Sequence, residues 1–391
     1  MTIGRLIKPN ILATPPSGIR KYFDLINEMK DAISLGIGEP DFETPWNIRE
    51  EGIYSLEKGR TFYSSNAGFV ELRQEIAAYM QRRFKLDYRP EDQILVTVGG
   101  SEAIDIALRT FAGPGDEVII PEPCFVAYKG CVMFCGATPV PLELKAENGF
   151  KLTAEQLKAH ITDKTRAVII GYPNNPTGAT MTREDYKELV EVLKDRDIVV
   201  LSDELYAELT YEGEHASIAQ FPEMKDKTIL INGFSKAFAM TGWRIGFLCA
   251  HPEAVEQMKK IHQYAIMCSP TAAQYAAIEA LRNGEPEVMH MRQEYNRRRR
   301  VMVDGFKKAG LACYEPKGAF YVFPDIRSTG LNSDTFCERL LKEEKVLMVP
   351  GSAFGACGEG FARATYATSI ENIRKALERI GSFVKKVKEE T

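Results

Sequence analysis

Apolar positions in this chain fall into short blocks, and the blocks switch between two periods. Residues 94–98, 117–120, 167–170, 198–201, 228–231 and 245–250 form compact β-prone runs that read as buried strands, and 139–142 reads as extended. Between them, 101–111, 126–135 and 183–194 follow helical spacing. Upstream, 46–58 is helix-like, and 71–84 sets Leu72, Ile76, Met80 and Phe84 on one face. Such alternation predicts a mostly parallel sheet covered by helices, with ligands bound at the carboxyl ends of the strands. Downstream the pattern changes. A long helical stretch over 252–281 ends at the breaker Asn283-Gly284-Glu285-Pro286, and a helix over 287–308 follows. Short strands are expected near 311–314, 320–323, 346–349 and 362–366, with helices at 333–342 and 370–385. The fold class expected is α/β: a three-layer αβα large domain over 45–285, plus a smaller α+β domain built from 1–44 and 286–391. Residues 1–30 read as irregular or partly helical.

A length of 391 residues suits two domains. The chain is 45% apolar and 27% charged, the balance of a soluble globular protein. A formal charge of −4 leaves no footprint for nucleic acid or an acidic membrane surface. The run Arg297-Arg298-Arg299-Arg300 follows Met289, Met291 and Tyr295, and reads as the solvated face of a helix. Eight cysteines occur without a Cys-x-x-Cys pair. Cys131 and Cys135 lack a nearby histidine to complete a zinc set, so no metal is expected. Reduced thiols, no signal-peptide core and no apolar run of membrane length suggest a cytoplasmic protein. None of the five histidines (160, 215, 251, 262, 290) sits in a triad or metal pattern, so structural or surface roles are expected.

The candidate chemistry clusters just after the predicted strands. Past 228–231 come Ser235, Lys236, Gly242 and Arg244. Burial lowers a lysine's pKa and frees its amine, and a free amine beside an anion-binding hydroxyl and guanidinium can hold a phosphorylated aldehyde as a Schiff base. The alternative is a plain strand–loop–helix connection with two solvated charges. Gly99-Gly100-Ser101-Glu102 opens a helix where main-chain N–H groups can cradle phosphate, or simply turns the chain. Asn175, before Pro176, can donate to a phenolate or carboxylate oxygen, or shape a turn. Asp203 can keep a pyridine nitrogen protonated, with Tyr206 reaching the ring's oxygen substituent; otherwise they are a cap and a packed ring. Phe125 can stack on a flat cofactor or join the core. Arg363, in an apolar strand, needs an anionic partner such as a substrate carboxylate. The glycines and proline of Gly36-Ile37-Gly38-Glu39-Pro40-Asp41-Phe42 mark a loop that backbone can use to approach a ligand.

Taken together, these pieces resemble the fold-type I aminotransferases of the aspartate/aromatic family, which use pyridoxal 5′-phosphate (PLP). The resemblance runs from about residue 17 to 385 through Ser34–Phe42, Gly99-Gly100-Ser101, Asn175–Gly178, Ser202–Tyr206, Gly233–Arg244, Lys317-Gly318-Ala319-Phe320-Tyr321 and Arg363–Ala367. It implies that Lys236 binds the cofactor aldehyde and then moves a proton between Cα and C4′, while Asp203 pairs with the ring nitrogen. Tyr206 and Asn175 would bind the ring hydroxyl oxygen, and Phe125 would stack on the ring. Gly100, Ser101, Glu102, Ser235 and Arg244 would hold the phosphate, joined by Tyr63 from the neighbouring subunit of a homodimer with shared sites. Arg363 and the Gly38 backbone would hold the substrate α-carboxylate. The family's ping-pong cycle, with 2-oxoglutarate as acceptor, is the expected reaction. No second cation for a distal carboxylate can be placed, and Ser101 is not the lysine of one aspartate-specific branch. Ile19 lies in a segment that covers the substrate in the family, so an aromatic or other apolar amino acid is expected. Aspartate, alanine or N-acetyl-diaminopimelate aminotransfer remain alternatives. So do a PLP lyase of the same fold and, more remotely, a non-enzymatic regulator.

Overall fold

The computed structural model describes residues 3–16, 18 and 31–390. A short strand, β1 (Ile33–Ser34), precedes the seven strands of the main sheet: β2 (Ile94–Thr97), β3 (Glu117–Glu122), β4 (Thr138–Glu143), β5 (Thr165–Gly171), β6 (Val199–Asp203), β7 (Thr228–Gly233) and β8 (Gly246–Cys249). Their order across the sheet is β2-β8-β7-β6-β5-β3-β4. All neighbours are parallel except those of β8, which runs antiparallel to both β2 and β7. The central strands are buried on both faces, which explains their unbroken apolar runs. Helices cover the two faces, one core packing Ile104, Leu108 and Val132 under the sheet and another packing Tyr186, Leu189 and Leu193. Pieces of the site lie where β3, β5, β6 and β7 end, and the order reverses beside them.

A further core gathers the remaining elements. It packs Met302 and Phe306 of the helix Glu285–Lys308 with Phe336, Leu340, Ile380 and Phe383, and includes Ile33 and Leu35. β12 (Val346–Leu347) pairs in parallel with β1, which brings the 33–35 segment to this body. Around it lie β9 (Ala312–Cys313), β10 (Tyr321–Val322), β11 (Pro324–Asp325), β13 (Val349–Pro350) and β14 (Ala362–Thr365), with β14 between β10 and β13.

Two expectations need correction. The helical stretch expected over 252–281 is two helices, Pro252–Ile266 and Thr271–Asn283. Met267 turns left-handed at φ 70°, and Pro270, which has no N–H to donate, precedes the second helix. The arginine run is not one solvated face either. At about 100° per residue, four consecutive helical residues sweep most of a turn. Arg297 and Arg300 face out, while Arg298 and Arg299 are buried. Among the described residues, no helix is long and apolar enough to cross a membrane.

Candidate active site

A cavity of about 770 Å³ opens at the carboxyl ends of the strands. Lys236 follows β7, and the chain can place it there because β7 and β8 approach closely. A Cβ on Gly233 would sit 3.0 Å from the Gly246 Cα, and one on Gly246 would sit 2.8 Å from the Gly99 carbonyl carbon. Lys236 Nζ donates to the Gly38 carbonyl at 2.7 Å. Burial draws its pKa down to about 8; Glu39 opposes this, while Arg363 and Arg244 add to it.

Asp203 closes β6 and is buried. It accepts from Tyr128 Oη at 2.6 Å and from the Leu205 N–H at 3.2 Å, and has no ion pair among the described residues. Burial raises its pKa and the Tyr128 bond works against that rise. Tyr206 shares a 2.8 Å hydrogen bond with Tyr321. Asn175 accepts from Arg363 Nη1 at 2.9 Å through Oδ1, leaving its amide NH₂ as a donor. Phe125 stands edge-on to Tyr128 and lines the cavity.

Arg363 sits on β14, only 2% exposed. Its guanidinium lies between the rings of Tyr321 and Phe354, 4.6 and 4.7 Å from their centres. Nη2 donates to the Gly36 carbonyl at 2.6 Å, while Nε is buried without a partner. No carboxylate pairs with it among the described residues, and burial lowers its pKa. A buried cation with neutral acceptors and a spare donor is built to receive an anion.

The helix Gly99–Phe111 aims its first N–H groups at the cavity, which Gly100 and Ser101 line. A side chain on Gly99 would put its Cβ 2.7 Å from Arg244 Nη2, so that glycine lets the guanidinium lie against the turn. Arg244 also donates to the Thr241 carbonyl at 3.0 Å, and Ser235 lines the same end. Glu102 points elsewhere. Its carboxylate accepts from the Val98 N–H and from His262 Nδ1, which leaves only its main-chain N–H for an anion.

Lys236, Asp203, Tyr206, Asn175, Gly100, Ser101, Phe125, Ser235, Arg244, Arg363 and Gly38 therefore share one cavity. The Gly38 carbonyl faces the lysine, so only its N–H suits a carboxylate. Tyr63 is 81% exposed and does not line this chain's own cavity. Ile19 lies outside the described residues. Two tyrosines had no assigned role in the sequence reading. Tyr128 was detectable as the ring one turn past Phe125 at a helix start; Tyr321 lay in a matching motif but is tied to Tyr206 only by the fold. The residues fit PLP on features of the structure: an anion cradle, a desolvated carboxylate without a cation, a depressed lysine and an arginine with a spare donor.

A family model described as aminotransferase class I and II matches residues 30–380. YugH of Bacillus subtilis (strain 168), named as an aminotransferase without a substrate, is 53% identical over 371 residues, spanning 95% of this chain and 96% of that protein. The aromatic-amino-acid aminotransferase 2 of Thermococcus litoralis is 45% identical over 376 residues, 95% of this chain and 97% of that protein. The solved structure of the aspartate aminotransferase from Thermus thermophilus with maleate superimposes with a TM-score of 0.92 at 38% identity, over 96% of this chain and 99% of that one. Cavity and sequence agree: the chain belongs to the class I and II aminotransferases, as a fold-type I, PLP-dependent enzyme of the aspartate/aromatic type that transfers amino groups between amino acids and oxo acids.

Proposed function

We propose that this aminotransferase prefers amino donors with an aromatic or other apolar side chain and passes the amino group to 2-oxoglutarate in a ping-pong cycle. One observation carries the donor preference. The cationic side chains lining the cavity, among the described residues, are Lys236, Arg244 and Arg363. Each has a task, and none is left for a second donor carboxylate. Ile37, Ile104, Val126 and Leu205 supply apolar wall. The acceptor rests on the family resemblance.

Bound PLP supplies an aldehyde carbon and an electron-withdrawing ring. Lys236, its pKa drawn down to about 8, would offer a free amine near neutrality to hold that aldehyde and to move a proton at the substrate Cα. Asp203, steadied by Tyr128, would keep the ring nitrogen protonated, a charge pair that would offset its own burial. Tyr206 and the Asn175 amide would donate to the ring oxygen, and Phe125 would pack against the ring. The Gly100, Ser101 and Glu102 N–H groups, Ser235 and Arg244 would hold the phosphate. Arg363 and the Gly38 N–H orient the α-carboxylate.

A homodimer completes this reading. Tyr63, with exposed Phe62 and Tyr264, suits contact with a second copy, where Tyr63 would reach the partner's phosphate site. A large domain at 45–285 and a small one at 1–44 and 286–391 remain the domain reading, supported by the core that gathers Ile33 and Leu35 with Phe306, Phe336 and Phe383, although that core also takes in Tyr206, Leu209 and Ala239, and Asn10 bonds to the Met133 carbonyl. Eight unpaired cysteines suit the reducing cytoplasm. A half-reaction screen tests the substrate class, following cofactor absorbance with tyrosine, phenylalanine, aspartate, alanine and N-acetyl-diaminopimelate. Tyrosine and phenylalanine should react at least about tenfold faster than aspartate, the scale set by one missing charge-assisted contact. Reaction with aspartate alone, or with none of the proteinogenic acids, refutes the preference. Release of pyruvate or ammonia without an oxo acid acceptor would mark a lyase instead.

A further inference from the structure

The phosphate cradle has a support behind it that the reaction itself does not use. His262, on the helix Pro252–Ile266, is 0% exposed, and its Nδ1 lies 2.6 Å from Glu102 Oε1. A carboxylate only accepts, so Nδ1 carries the hydrogen. The other Glu102 oxygen accepts the N–H of Val98, the residue just before Gly99. A three-member chain therefore runs from a covering helix to the turn that opens Gly99–Phe111. His262 Nε2 is buried with no partner. For packing alone, an apolar side chain would serve better, because an unpaired buried polar atom is costly. The bond to Glu102 is the feature that offsets that cost.

The charge pattern gives the bond a purpose. Glu102 sits in the first turn of a helix whose free N–H groups face the cavity. A loose carboxylate there would compete with a phosphate for the helix's positive end and repel it. Held by Val98 and His262, it is turned away. We propose that His262 is a positioning residue for the phosphate cradle: it fixes Glu102 on the Val98 N–H, so that the Gly100 and Ser101 N–H groups stay free for the anion. The proposal rests on the reading that the cofactor phosphate binds at this turn.

The test compares PLP with pyridoxal, which lacks the phosphate, by titrating apoprotein and following absorbance of the lysine-bound form. His262→Leu should raise the dissociation constant for PLP about tenfold and leave that for pyridoxal within about twofold. His262→Asn, whose amide can stand in for Nδ1–H, should restore PLP binding. If His262→Leu does not fold, His262→Gln, which reaches the Nε2 position instead, replaces it with the same expected loss. Arg244→Ala serves as the control for the phosphate site. If Arg244→Ala separates the two ligands and the His262 variant does not, the positioning role is wrong and the phosphate site stands. If neither separates them, the phosphate site itself is wrong and the proposal falls with it. Equal weakening of both ligands by the His262 variant would mean a general structural role and also overturns it.

Discussion

Arg298 and Arg363 are both buried guanidiniums, and they are partnered in opposite ways. Arg298 meets both oxygens of Asp41 at 2.8 Å and Glu294 at 2.9 Å. Arg363 meets only an amide oxygen, a carbonyl and two aromatic faces, with Nε left over. Burial works against the charge on both. On Arg298 the carboxylates outweigh it and the pKa rises; on Arg363 burial prevails and the pKa falls. A buried charge balanced within the chain is scaffold, whereas one left unbalanced is held ready for a ligand. Lys236 belongs with Arg363. All three grip the same loop, at Asp41, Gly36 and Gly38, so scaffold and site share one stretch of backbone.

Removing the amine should have the largest effect. Lys236→Ala should cut transamination by at least about 10⁴-fold and abolish absorbance of the lysine-bound cofactor; a variant with full activity would sink the assignment. Next, Arg363→Leu should lower kcat/KM for the amino donor roughly 10³-fold, yet leave thermal stability unchanged or raised, since no internal charge loses its partner. Arg298→Leu should show the reverse balance. It strands Asp41, while Glu294 keeps Arg297, and should reduce unfolding free energy by about 1–2 kcal/mol, read by denaturant titration, with a smaller loss of kcat/KM. If Arg298→Leu harmed only catalysis and Arg363→Leu only stability, the distinction would collapse.

Lys236 sharpens the comparison through pH. Its pKa falls from 10.5 to about 8 on folding. Between those values the unfolded chain still binds a proton that the folded one has released, so apoprotein stability should rise with pH across that window. The gain is at most about 3 kcal/mol and should vanish in Lys236→Met, checked by chemical denaturation at stepped pH. The smallest effect expected is from Tyr128→Phe. It leaves Asp203 in place but removes one hydrogen bond, and should lower kcat about tenfold with little change in KM. An unchanged kcat would show that Asp203 needs no such support.

Much of this was visible in the residues themselves. The strands of the large sheet and most helices follow from apolar period, because periodicity reflects local geometry. Candidate residues at the strand ends followed from the rule for parallel sheets. The break at Met267–Pro270 does not show in the period, because apolar residues keep helical spacing on both sides of it. The burial of Arg298 and Arg299 was missed because charge composition says nothing about where a helix packs. Glu102 shows the limit within the site: its position by the cradle was readable, but not the direction of its carboxylate.

What the sequence determined alone was the succession of elements and the kinds of group each strand end would carry. What only the tertiary structure decided was which charge each of those groups would meet. Tyr128 and Asp203 are 75 residues apart, Glu102 and His262 160, Lys236 and Gly38 198, and Arg298 and Asp41 257. A hydrophobic period is set by neighbours along the chain, whereas the protonation and readiness of a buried group are set by whatever the fold packs against it. Arg298 and Arg363 look alike as letters and differ only in that company.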